Sequence, residues 1–137
     1  MIIGIGTDLV AIERVRSILG NSVADRFMER VLTPAERELA SRRQGRLAEF
    51  VSGRFAAKEA VSKAFGCGIG KQLSLQDMEV LPDALGKPIC RIADAALRRL
   101  QLEPGATAVH LSITHTDTMA MAYAIVERTE GGRDTSA

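Results

Sequence analysis

The chain has 137 residues, enough for one domain with its own hydrophobic core and too few for two large ones. With 46% hydrophobic and 26% charged residues it has the balance of a soluble globular domain, and no apolar run approaches the ~18 residues of a membrane span. A net charge of +1, a pI near 7.8, no Trp and only one Tyr and four Phe argue against a nucleic-acid binder that tracks phosphates and stacks bases. The small net charge conceals a bias: residues 1–63 carry 11 Lys and Arg against 8 Asp and Glu, whereas residues 64–137 carry 7 against 9. A basic face meeting an acidic protein or a phosphorylated small molecule therefore stays open.

Met1-Ile2-Ile3-Gly4-Ile5 lacks a basic leader and soon meets Asp8, so it reads as a buried strand over Ile2 to Asp8 in a cytoplasmic protein rather than a signal peptide. Ile12, Val15 and Leu19 recur at helical spacing, which puts Asp8 at a strand-to-helix junction and offers a helix cap as its plain role. A short helix over Val23 to Val31 follows Gly20-Asn21. Thr33-Pro34-Ala35-Glu36 is a capping box with Pro at the first helical position, starting a helix to about Arg43. A long helix runs from about Arg46 to Phe65 with an apolar stripe of Leu47, Phe50, Val51, Ala57, Val61 and Phe65, and Gly66 as its C-cap. Met78 to Leu81 and Ile89 to Ile92 predict a hairpin around Leu85-Gly86-Lys87-Pro88. A helix over Asp94 to Leu102 is stopped by Pro104-Gly105, and strands over Thr107 to Thr114 and Met119 to Glu127 complete the chain. The small polar segment 129–137 reads as a flexible tail, leaving 1–128 as the domain. Five strands and four or five helices in this order predict an α+β fold, a mostly antiparallel sheet packed on the long central helix. Cys67 and Cys90 are far apart without metal or redox spacing and read as small buried hydrophobes.

Two carboxylates stand out. Glu59 lies four residues before Lys63 and four after Phe55, so the three share a helix face, with an ordinary surface ion pair as the plain reading. Around them Ala56, Ala57, Ala60 and Ala64 leave room for a partner or ligand, and Arg54, Lys58 and Lys63 supply three cations to one carboxylate. Asp8 follows Gly4 and Gly6, two glycines in an isoleucine strand that signal close approach by a ligand or by the long helix. A carboxylate from a strand and one from a helix suit a hard cation such as Mg²⁺, which binds through one or two carboxylates, waters and phosphate oxygens. Gly66-Cys67-Gly68-Ile69-Gly70-Lys71-Gln72 has neither the spacing nor the Ser/Thr of a P-loop. Strand parity puts His115 with Leu111 and Ile113, leaving a core histidine as an alternative for it, and turns His110 to solvent or to an interface.

The segment Arg54-Phe55-Ala56-Ala57-Lys58-Glu59-Ala60-Val61-Ser62-Lys63-Ala64-Phe65-Gly66, with Gly4-Ile5-Gly6-Thr7-Asp8 before it and Ser112-Ile113-Thr114-His115 after it, resembles the bacterial holo-acyl carrier protein synthases, the short 4′-phosphopantetheinyl transferases. The resemblance runs nearly end to end and rests on both motif halves in order. It implies a transferase that moves phosphopantetheine from coenzyme A to a serine of an acidic apo acyl carrier protein in support of fatty acid biosynthesis, releasing adenosine 3′,5′-bisphosphate. It further implies Asp8 and Glu59 as ligands of Mg²⁺, and Glu59 and Lys63 as the catalytic pair. Coenzyme A contacts would come from Arg46, Arg54, Lys63, Gly68, Gly70, Gly86, Lys87, Pro88 and His115, and carrier contacts from Arg14, Ile18, Arg26 and Phe27. Three subunits with sites between them are implied as well, their interfaces completing the alanine-rich faces. A metal-dependent phosphatase using the same carboxylates, or a basic binding module without catalysis, are the competing readings.

Overall fold

The computed structural model describes residues 1–130; of the segment 129–137 expected to be a tail, residues 131–137 lie outside the described part. The elements in order are β1 (Ile2–Ala11), α1 (Ile12–Leu19), α2 (Ala24–Val31), α3 (Pro34–Ala40), α4 (Leu47–Phe65), β2 (Met78–Pro82), β3 (Pro88–Ile92), α5 (Asp94–Arg99), β4 (Thr107–His115) and β5 (Met119–Arg128). Single 3-10 turns, Leu75–Asp77 and Pro104–Ala106, precede β2 and β4. All strand pairs are antiparallel, as expected, but they form two sheets: β1-β5-β4, and a separate β2-β3 hairpin.

α4 lies across the inner face of the larger sheet, and twelve of its nineteen residues are buried, so the expected stripe is an almost fully enclosed helix. The sheet meets it with Ala120, Ala122, Ala124 and Val126 of β5, all under 2% exposed. The closest approach is β1. A Cβ on Gly4 would stand 1.7 Å from the Ala64 carbonyl oxygen, and one on Gly6 would stand 1.9 Å from that of Ala60. The two glycines are therefore there for the helix, not for a ligand. Ala56, Ala57, Ala60 and Ala64 are all buried within the chain, so they do not wait for a neighbouring subunit.

β1 continues three residues past the expected end, because Leu9, Val10 and Ala11 keep their pairing with Met121, Ala120 and Met119. Asp8 is consequently a mid-strand residue opposite Ala122, and Ala11 caps α1 without a side-chain bond, which overturns the cap role for Asp8. α3 stops at Ala40 and α5 at Arg99, short of Arg43 and Leu102; Gln101 at φ 61° turns the chain after α5. The capping box is formed as expected, and Gly66 ends α4 at φ 82°, in the left-handed region that favours glycine. Cys90 is buried, its thiol pushed up to about 12 by burial, while Cys67 is only half-buried. Among the described residues no helix is long and apolar enough to cross a membrane.

Among the described residues none covers the outer face of the β1-β5-β4 sheet at Ile5, Leu9 and Tyr123. Ile5 (55% exposed), Leu9 (62%) and Tyr123 (40%) lie there as an apolar strip on adjacent strands.

Candidate active site

β1 and α4 bring Asp8, Glu59 and Lys63 together. Because Gly6 rests on Ala60, Asp8 two residues along β1 and Glu59 one residue before Ala60 flank the same contact. Lys63 Nζ donates to Asp8 Oδ1 at 3.0 Å and to the Thr7 carbonyl at 3.1 Å, so its partner is the strand carboxylate and not Glu59, against the surface-pair reading. Burial, with the like charge of Asp8 behind it, raises the Glu59 pKa above the usual carboxylate range, and Lys63 opposes the rise. Asp8 and Glu59 line a cavity of about 590 Å³ between β1, α1, α2 and α4, together with Arg14, Ile18, Phe27 and Phe55. Phe27 and Phe55 pack at 6.3 Å between ring centroids and form its apolar wall.

The donor set fits Mg²⁺. It offers two carboxylates, both oxygen ligands, and among the described residues no group of three His, Cys, Asp or Glu side chains gathers to make a soft or closed site. A cation there would keep positions for water and for phosphate oxygens.

A second cavity, of about 410 Å³, holds most of the residues expected around the coenzyme: Arg46, Arg54, Gly86, Pro88 and His115. Arg43, which the sequence reading missed, joins them. Its guanidinium lies 5.1 Å from the Phe50 ring centroid, and that of Arg54 lies 4.6 Å from it. Arg54 also donates from Nε to the Val80 carbonyl at 3.2 Å, and burial lowers its pKa. His115 is exposed at the end of β4, which rules out the core-histidine alternative; His110 faces solvent as expected and meets Glu127 at 2.9 Å.

Besides Lys63, whose ammonium is bonded to Asp8 beside the carboxylate cavity, four expected site residues line neither cavity. Gly68, at φ 66°, serves the turn after α4, and Gly70 has open space around its Cα. Lys87 is exposed in the hairpin turn, where its backbone N–H donates to Asp83 Oδ1, and Arg26 is exposed on α2. The two cavities share no lining residue, so one chain holds the carboxylates and the arginine-rich pocket apart.

The expected cluster of three cations does not form. Lys58 turns away from Glu59 into the core, where it is fully buried and donates to Glu36 Oε1 at 2.6 Å, to the Val31 carbonyl at 2.7 Å and to the Leu75 carbonyl at 3.0 Å. Burial lowers its pKa and the facing Glu36 resists the fall. Glu36 accepts also from the backbone N–H of Thr33 and, through Oε2, of Val80. The only sequence signal for this pair was the capping-box glutamate, which does a second job here.

The model of the 4′-phosphopantetheinyl transferase superfamily matches residues 4–124, a span that includes both carboxylates, Lys63 and the arginine-rich cavity. The chain belongs to this superfamily. It is 49% identical over 132 residues to the holo-(acyl-carrier-protein) synthase of Geobacillus kaustophilus, covering 93% of this chain and 91% of that protein. Among solved structures it is similar to a holo-(acyl-carrier-protein) synthase from Bacillus anthracis in complex with CoA (3′,5′-ADP), with a TM-score of 0.78, 45% identity and coverage of 94% and 99%. The synthase from Neisseria meningitidis superposes with a TM-score of 0.83 at 34% identity, covering 93% of this chain and all of that one. The phosphopantetheinyl transferase fold expected from the sequence is thus the fold observed.

Proposed function

We propose that this member of the superfamily transfers 4′-phosphopantetheine from coenzyme A to a serine of apo acyl carrier protein, giving holo acyl carrier protein and adenosine 3′,5′-bisphosphate, in support of fatty acid biosynthesis. The observation that carries the reading is the Asp8, Glu59 and Lys63 cluster at the mouth of a cavity walled by α1 and α2, in a chain nearly half identical to a holo-(acyl-carrier-protein) synthase. The serine hydroxyl attacks the β-phosphorus of coenzyme A, its new P–O bond replacing the one to the leaving adenosine bisphosphate. Asp8 and Glu59 hold Mg²⁺, which when bound offsets the charge of the pyrophosphate. Lys63, already at the Asp8 carboxylate, places its ammonium where the leaving phosphate gains charge. Glu59, on the carboxylate cavity beside Asp8, would accept the serine proton directly or through a water. Arg43, Arg46 and Arg54 supply cations for the nucleotide phosphates, and Gly86 and Pro88 of the hairpin lie beside the base.

The enzyme works as a homotrimer. Two features support this: the uncovered strip of Ile5, Leu9 and Tyr123, and the split between two cavities, which a neighbouring copy would join. It acts in the cytoplasm, in keeping with two unpaired cysteines. The surface of α1 and α2 receives the acidic carrier, with Arg14 and Ile18 at the cavity rim, Phe27 inside it and Arg26 outside.

Intact mass of apo acyl carrier protein incubated with coenzyme A, Mg²⁺ and this protein tests the reading. A gain of one phosphopantetheine is expected, dependent on the metal. Release of inorganic phosphate with the carrier unchanged would replace the transferase by a phosphatase.

A further inference from the structure

The end of α2 is held in an unusual way. Its last three residues and the one that follows, Glu29, Arg30, Val31 and Leu32, would ordinarily turn their carbonyls to water or to a C-cap. Here each of the four carbonyls accepts a side-chain donor from another part of the chain. Lys58 Nζ, from the middle of α4, takes that of Val31 at 2.7 Å. Gln76 Nε2, from the 3-10 turn before β2, shares its two N–H groups among those of Glu29, Arg30 and Leu32, at 2.9, 3.1 and 2.9 Å. Arg37 adds a second bond to Leu32 at 2.8 Å.

At the other end of α2, Val23 offers no side-chain cap. The side-chain bonds from distant segments thus gather at the C-terminal end of the helix, and one of the clamping residues, Lys58, is the neighbour of Glu59 in sequence. Lys58 is held in turn by Glu36, which reaches β2 through the Val80 N–H, so the clamp is tied to α3, α4 and β2 at once. The wall that α2 contributes to the carboxylate cavity is Phe27, one turn before the clamped carbonyls, and it rests on Phe55, one turn before Glu59.

We propose that Lys58 and Gln76 are positioning residues for the carrier protein: by clamping the C-terminal carbonyls of α2 they fix the docking helix against α4, and so set the distance from the docked serine to the Asp8 and Glu59 carboxylates. This rests on the transferase reading and specifies which groups of the fold serve the macromolecular substrate and not coenzyme A. Neither residue lines the arginine-rich cavity. A buried pair used only to hold the fold together would affect both substrates alike.

Gln76 is exposed, so Gln76→Met, which keeps the side-chain length and neutrality while removing both N–H donors, is the first variant. Lys58→Met combined with Glu36→Gln is the second, removing the buried charges together so that neither is stranded. Wild-type phosphopantetheine transfer is measured first, which tests the transferase reading independently. The clamp predicts that kcat/KM for apo carrier protein falls about tenfold in Gln76→Met, while KM for coenzyme A stays within about twofold. Hydrogen exchange in Gln76→Met should quicken at the amides of residues 28–32 and stay unchanged in α4. The double variant should show a larger loss for the carrier; because Glu36 also acts on Arg54 of the coenzyme cavity, the split between substrates is read on Gln76→Met, which decides alone if the double variant does not fold. A Gln76→Met protein with wild-type kcat/KM for the carrier, or one that loses coenzyme A and carrier in equal measure, overturns the proposal.

Discussion

Replacing Gly6 by Ala tests the contact on which the whole site is built. The new methyl would stand 1.9 Å from the Ala60 carbonyl oxygen and 2.8 Å from the Ala64 nitrogen, both backbone atoms of a buried helix that cannot swing aside. Restoring an ordinary contact near 3.4 Å requires β1 and α4 to part by about 1.5 Å. Overpacking of this kind costs about 3 kcal/mol, which in a domain of this size lowers Tm by roughly 10 °C. The chemical effect should be larger than the thermal one. Asp8 and Glu59 sit on either side of the contact, and a displacement near 1 Å in a catalytic constellation lowers rate by about 10²-fold. Gly105→Ala is the control, since its Cβ meets nothing within 4 Å and its φ is not in the left-handed region. Chemical denaturation and the initial rate of carrier modification, measured on both variants, check the expectation. A Gly6→Ala protein with unchanged Tm and rate would refute the packing argument, and with it the claim that the glycines place the carboxylates.

Lys63→Ala should lower kcat by about 10²- to 10³-fold, and stability by no more than about 1 kcal/mol because the lysine is half exposed; a stability change without a rate change would return it to a surface role. Glu59→Gln should raise the Tm of the metal-free protein at neutral pH. With its folded pKa held above the unfolded value, Glu59 costs no stability below the ordinary carboxylate value, and the cost grows as the pH rises from there and is complete above the folded pKa. The Tm difference should therefore vanish near about pH 3.5, and a difference independent of pH would contradict the assignment. Ser52→Ala removes a fully buried hydroxyl without a hydrogen-bond partner and should stabilise by about 1 kcal/mol; a loss on denaturant titration would show that the hydroxyl is satisfied after all.

What could be read from the sequence follows the range of each signal. The capping box at Thr33 and the glycine at 66 are local, and both appear as expected. Asp8 and Glu59 could be paired because a two-part motif links distant segments, where periodicity alone favoured a cap for Asp8 and a surface pair for Glu59. Lys58 was misplaced for a geometric reason: adjacent helix residues differ by 100° in direction, so a lysine next to a site glutamate faces elsewhere. Its partner Glu36 is 22 residues away, and nothing in the spacing announces it. Arg43 lies beyond the end of α3, and its stacking on Phe50 depends on how the connection to α4 folds back. The alanines of α4 advertised room that β1 already fills.

The division between the two cavities has a genetic consequence. In the proposed ring of three copies, where each centre would take its carboxylates from one chain and its arginines from the next, damage to Asp8 and damage to Arg54 need not fall on the same centre. Two inactive proteins, Asp8→Ala and Arg54→Ala, would rebuild about a quarter of the centres when mixed in equal amounts and allowed to exchange subunits. Alleles that are null when alone would then complement each other in one cell, whereas Asp8→Ala and Glu59→Ala, both on the carboxylate side, would not.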